Sequence, residues 1–264
     1  MLVRYGHVPM IIKVKTLSTS SARAAIGVGC MLAAVACSSP AFGASSSERS
    51  GTGSASQILR SAISSATKFG SVRVTVHFFS GTTAGELVQD SSQNSAVQTV
   101  AIGSERVSIL LSDGIVYFSG NNPGLVHYFG LSDANAAILA GRWVSATSSD
   151  ASYQSLIAGL SLTSALKEIT PTGSIARGKS VIVRGQRTTS VSGTGPAGLA
   201  HVTLFIAAKG RPLPVEAVGS GGGKGTKLSG EIVTFSRWGE HVKIPTPSSA
   251  IPISSLASGS PTGE

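Results

Sequence analysis

The chain has 264 residues, 41% of them hydrophobic and only 12% charged, with a formal net charge of +9. That length can bury a sizeable single core, and the charge forms no Lys/Arg block interleaved with aromatics, so there is no nucleic-acid signature. Both cysteines, Cys30 and Cys37, lie near the start, which excludes a disulfide framework for the remainder.

Arg4, Lys13, Lys15 and Arg23 precede an apolar run from Ala24 to Ala36 that contains no acidic residue. A basic segment followed by about 7–15 apolar residues reads as a secretory signal. The run falls short of the roughly 20 apolar residues a membrane span needs. The basic segment is long, so Met10 is an alternative start. Two exits from the signal are open. Ala34-Val35-Ala36 before Cys37 has the form of a bacterial lipobox, after which the cysteine thiol is diacylated and anchors the protein to the membrane. Ala34 and Val35 depart from the usual Leu and then Ala or Ser. Ala41-Phe42-Gly43 instead suits ordinary cleavage before Ala44 and release. The Ser/Gly-rich stretch 38–56 has the composition of a flexible coil, the tether a lipoprotein needs, and this favours the lipobox. The expected organisation is therefore a signal peptide with lipobox over 1–36, a tether over 37–56, one folded domain over 57–250 and a disordered tail over 251–264. Without residues 1–36 the chain keeps 17 basic against 12 acidic residues. That excess reads as a solvated surface first and as affinity for anionic membranes or envelope polymers second.

Ile58, Leu59, Ala62, Ile63 and Ala66 recur at helical spacing, with Ser56 as the expected cap and Gly70 as the stop. Ser71 to Phe78 alternates strictly, a half-buried strand. Gly81 to Asn94 is polar and reads as a loop or irregular hairpin. Ala96–Ile102 and Arg106–Leu111 are strands, and Asp113-Gly114 is the turn into Ile115–Phe118. A helical patch follows: Leu125, Val126 and Phe129, then a segment from Asp133 capped by Ser132 and closed by Gly141. Trp143 and Val144 look extended. Ser149 or Asp150 caps another helix bearing Tyr153, Leu156, Ile157 and Leu160, and helical spacing continues to Pro171. Val181–Arg187, Ala200–Ala207, Val215–Val218 and Glu231–Phe235 are strands, and Trp238-Gly239 leads into His241–Pro245. Strands, a helical insert and more strands make an α+β domain on one curved antiparallel sheet.

The chemistry-bearing motifs are missing. Gly221–Thr226 imitates a phosphate loop but has Gly225 where Ser or Thr must follow the lysine, and Val218 where glycine must lead. No Gly-x-Ser-x-Gly elbow occurs. His77, His127, His201 and His241 are scattered without metal-ligand spacing, and the carboxylates form no acid/base pair by pattern. Trp143 and Trp238 read as core anchors. The sequence points to no catalytic residue, no metal and no cofactor.

Four segments occur in order: Gly70–Val74, Asp113–Phe118, Leu139–Val144 and Glu231–Val242. Together they resemble the actinobacterial LppX/LprG-type lipoproteins, relatives of the LolA carriers. Arg237 stands where that family usually has an acidic residue. The resemblance implies a half-open antiparallel barrel with helices packed on its concave face. It further implies an apolar cavity between them for acyl chains of lipids or lipid-linked molecules. On that basis the cavity lining would be Val72, Val74, Val76, Phe78, Val107, Ile109, Leu111, Leu204 and Ile206 from the sheet. Leu125, Val126, Phe129, Leu156 and Ile157 would close it from the helices. The same residues would also make a plain dry core. The expected function is a non-catalytic envelope lipoprotein, anchored at Cys37, that carries or presents lipids. The alternative is an interaction or sensor module that binds another envelope protein.

Overall fold

The computed structural model describes residues 53–80, 82–196, 199–221 and 229–257. The signal, Cys37 and the tether up to Thr52 lie outside the described residues, as do residues 258–264.

Helix α1 (Ala55–Phe69) opens the described chain. Its cap is Ser54 rather than the expected Ser56. Ser54 Oγ accepts the Gln57 amide at 3.3 Å, and Gln57 Oε1 accepts the Ser54 amide at 2.8 Å. This reciprocal box needs Gln or Glu three residues on, and Ser56 has Leu59 there. Gly70 ends the helix at φ 77°, a left-handed conformation that suits glycine.

A first meander follows, with β1 (Val72–Ser80), β2 (Thr83–Ser91), β3 (Ala96–Ile102), β4 (Glu105–Ser112) and β5 (Ile115–Gly120). Then come α2 (Asn122–Phe129), α3 (Asp133–Leu139), β6 (Trp143–Ala146), α4 (Tyr153–Ile157) and α5 (Leu162–Glu168). A second meander comprises β7 (Thr172–Val183), β8 (Gln186–Thr194), β9 (His201–Ala207), β10 (Pro214–Gly221) and β11 (Ser229–Ser236). The described chain ends in β12 (Ala250–Pro252) and α6 (Ile253–Ala257). All these strands join one 12-stranded unclosed sheet, ordered β12-β6-β5-β4-β3-β2-β1-β11-β10-β9-β8-β7. The pairings are antiparallel except β12 on β6, which is parallel. The two meanders meet at β1 and β11, where Val74 lies opposite Phe235 and Val76 opposite Val233. Alternation then sends Val72, Val74 and Val76 inward to the helices and Arg73, Thr75 and His77 outward. This is the expected α+β architecture, a curved, mainly antiparallel sheet with helices on its inner face.

Four segments differ from the sequence expectation. Thr83–Ser91 is a regular strand, not a loop; its inward positions include Gln89 and Ser91, so apolar alternation fails although both are fully buried. The expected strand Val181–Arg187 is the tip of a long hairpin that turns at Arg184-Gly185. Residues 240–248 carry no strand, and the last strand lies at Ala250–Pro252 instead. The chain beyond Ala250 is structured as far as Ala257, because Ile251, Ile253 and Leu256 pack against the core. Ser and Pro neighbours had masked that short apolar spacing.

Candidate functional site

The inward face of the sheet can be followed strand by strand. Leu87, Val100 and Val107 continue the row from Val76. The next row runs from Val74 through Gln89, Gln98 and Ile109 to Phe118 and Val144. Two buried glutamines thus interrupt an otherwise apolar surface. They are satisfied: Gln98 Nε2 donates to Gln89 Oε1, and Gln89 Nε2 donates to Ser91 Oγ at 2.6 Å and to the Leu160 carbonyl at 3.1 Å. Ser91 Oγ donates to the same carbonyl at 2.8 Å. Burying unpaired amides would cost several kcal/mol, so this network pins the α4–α5 connection to β2 and β3.

The network marks a division. On one side, α1 and α5 cover a cluster that includes Val72, Val74, Val76, Val107, Leu204 and Ile206, with Phe78 packed at its margin. On the other, α2, α3 and α4 cover a cluster that includes Ile109, Leu125 and Leu156, with Leu111, Val126 and Ile157 at its margin. Phe129 packs against both clusters, its ring 4.3 Å from that of Phe118. All fourteen residues expected to line a cavity therefore sit between sheet and helices, but in two clusters joined at one aromatic. Trp238 does pack as an anchor, against the first cluster.

Two polar groups on this side escaped the sequence reading. Glu231 shares the inward phase of Val233 and Phe235 and is 8% exposed. Burial, reinforced by the nearby Glu168 carboxylate, raises its pKa from 4.5 to about 7. The Glu231–Phe235 alternation already places that carboxylate on the apolar phase. The Tyr128 hydroxyl of α2 is buried without a hydrogen-bond partner among the described residues, and burial raises its pKa. Nothing in the spacing of α2 singles it out.

A cleft of about 480 Å³ opens between α1 and β8–β9, with Ile58 and Ser61 on the helix side and Thr189 and Ile206 on the sheet side. A second cleft, of about 750 Å³, lies at the outer face of β1 and β11 and runs under the β7–β8 turn. The described residues contain no group of His, Cys, Asp or Glu arranged to hold a metal. No helix among them is long and apolar enough to cross a membrane.

No protein-family model matches the chain, and no curated protein sequence does. Among solved structures, the chain is similar to LprF from Mycobacterium bovis at 16% identity and a TM-score of 0.48, over 75% of this chain and 100% of that one. It is similar to MucB at 14% identity and a TM-score of 0.38, over 72% of this chain and 60% of that one. A MucA/MucB complex from Pseudomonas aeruginosa gives 16% identity and a TM-score of 0.35, over 69% of this chain and 55% of that one. These likenesses concern fold alone.

Proposed function

We propose that this protein is a non-catalytic envelope lipoprotein, anchored through Cys37, that holds acyl chains of lipids or lipid-linked molecules between its sheet and helices. The observation that carries the reading is the cleft at Ile206, which opens the concave apolar face along α1. Helix α1 meets the sheet side largely through Leu59 and the small residues Ala62 and Ala66. Displacing it would widen the cleft into the first cluster. Each CH₂ so buried contributes about 0.8 kcal/mol, so no reacting group is required. Ligand sites are mostly apolar with a few placed polar groups, and Ser61 and Thr189 of the cleft lining are available for that part. Native mass spectrometry with solvent extraction of the full chain, purified from an envelope-bearing host, tests this. A stoichiometric lipid is expected; a clean apo mass with no uptake from added lipid overturns it. Separately, Cys37→Ala should move the protein out of the membrane fraction.

A second reading, an interaction module for another envelope protein, is favoured by β7. It forms one edge of the sheet, is exposed along most of its length, and leaves Ile182 72% exposed. An open strand edge can accept a further strand. The apo outcome above, with capture of a strand-donating peptide, would favour this reading.

A further inference from the structure

The outer cleft has a different character from the concave face. Its lining includes Arg184, Lys209, Arg211 and Arg237, and no Asp or Glu. Its aromatic side is stiff. Trp238 donates its indole N–H to the Pro214 carbonyl at 3.3 Å and lies 6.1 Å from the Phe235 ring and 6.3 Å from the Phe69 ring. The Arg211 guanidinium sits 4.9 Å over Phe69, a cation–π contact. Three acids approach the lining from outside it. Glu216 accepts from Arg184 Nε at 3.0 Å, Glu240 approaches Arg237 at 3.9 Å, and Glu86 lies 3.8 Å from His77 of the lining. Four cations against three carboxylates still leave a positive excess. Thr234 Oγ1, also of the lining, is buried without a hydrogen-bond partner among the described residues.

The backbone adds an independent observation. Among the described residues, three non-glycine residues have positive φ: Asp113 at 52°, Arg184 at 48° and Arg237 at 53°. Asp113-Gly114 and Arg184-Gly185 make the same two-residue turn, closed by the pairs Ser112–Ile115 and Val183–Gln186. That turn needs positive φ at both central positions and favours Asn or Asp before Gly. The β4–β5 turn follows the rule. The β7–β8 turn places arginine in the less suitable conformation, as the Ser236–Gly239 turn does with Arg237. Both arginines line the outer cleft. Local strain retained at converging charged residues is a pointer to function.

We propose that this outer cleft binds a phosphate-bearing anion, with Arg184, Lys209, Arg211 and Arg237 on the phosphoryl oxygens. Guanidinium forks match phosphate geometry, and a phosphomonoester carries about −1.5 to −2 charges at pH 7, opposite in sign to the local excess. The cleft is larger than one phosphoryl group, so the rest of the ligand lies against Phe69 and Trp238. The arginines reach the outer face of the sheet, away from the cleft at Ile206, while Phe69 belongs to α1 and Trp238 packs against the first cluster; the proposal does not rest on acyl-chain binding. A soluble phosphomonoester and a phospholipid headgroup share this chemistry.

The test uses the full chain carrying Cys37→Ala, with and without Arg184→Asn and Arg237→Asn together. Asn suits positive φ, so the double variant should keep or slightly raise Tm. The soluble arm follows the Trp238 indole N–H resonance against glycerol phosphate. The membrane arm measures co-sedimentation with phosphatidylcholine vesicles, with and without phosphatidic acid. Saturable binding in either arm, weakened at least tenfold in the double variant at unchanged Tm, supports the site, and the responding arm identifies the source. No binding in both arms, or equal binding by both proteins, overturns it.

Discussion

The two halves of the inner face have the same strand alternation and different fillings. Over β4–β6, Phe118 of β5 meets large side chains from above, Leu125 of α2, Leu139 of α3 and Leu160 of the α4–α5 connection, and all four are nearly or fully inaccessible. Over the first cluster, α1 brings Leu59 with the small residues Ala62 and Ala66, α5 adds Leu162 and Leu166, and a cleft remains beside α1. One half is a closed core. The other has a lid, α1, that is partly of small residues and lies on an apolar floor. A fold can thus reserve one region for stability and leave another free to open.

The contrast can be broken most severely at Phe118. Truncation to alanine should cost about 3–5 kcal/mol in chemical denaturation, whereas lipid uptake per folded molecule should be unchanged. Loss of lipid binding in the folded fraction would mean the two halves are not separable.

Glu231 sharpens the comparison from the other half. Its pKa is about 4.5 unfolded and about 7 folded, so the folded state holds the proton more tightly. The resulting stabilisation is full below pH 4.5 and is lost as pH rises through about 7. Glu231→Gln should therefore be near neutral at pH 4 and stabilising above pH 7 by on the order of 2–3 kcal/mol. Thermal melts across that range check it; parallel pH profiles for variant and parent would refute the burial argument.

The Gln89 network lies at the border. Gln89→Ala leaves Gln98 and one bond of the Leu160 carbonyl unmatched and should cost about 1–3 kcal/mol. Amide exchange should quicken at the α4–α5 connection before it does in β5. The smallest effect belongs to Ser54→Ala, about 1 kcal/mol from the lost cap. If α1 is the lid, that variant should also exchange bound lipid faster than the parent.

Much of this architecture was legible in the sequence. Strict alternation over Val72–Phe78 gave both the strand and its inward phase, and Asp113-Gly114 gave its turn. What stayed hidden follows one physical pattern. Gln89 and Ser91 are inward because the Leu160 carbonyl, far away in sequence, satisfies them; β7 is an exposed edge, so it needs no apolar phase. The cavity residues were readable as buried but not as two clusters, since the division depends on which helix covers which strand. The outer cleft left no motif at all. Its arginines come from separate turns and are brought together only by the coiling of the sheet.

The order of strands also governs when the sheet can be completed. Each meander pairs neighbours close in sequence and can form quickly. The seam cannot: β1 is made early, yet the partner for one of its edges, β11, arrives more than a hundred and fifty residues later, with Arg73 opposite Ser236. During synthesis β1 therefore waits with an open, valine-rich edge, the kind of surface that recruits wrong partners. A chain truncated before Ser229 would leave that edge open permanently. The nascent protein is most vulnerable to aggregation until its last long strand emerges, and a chaperone that guards it has β1 to cover.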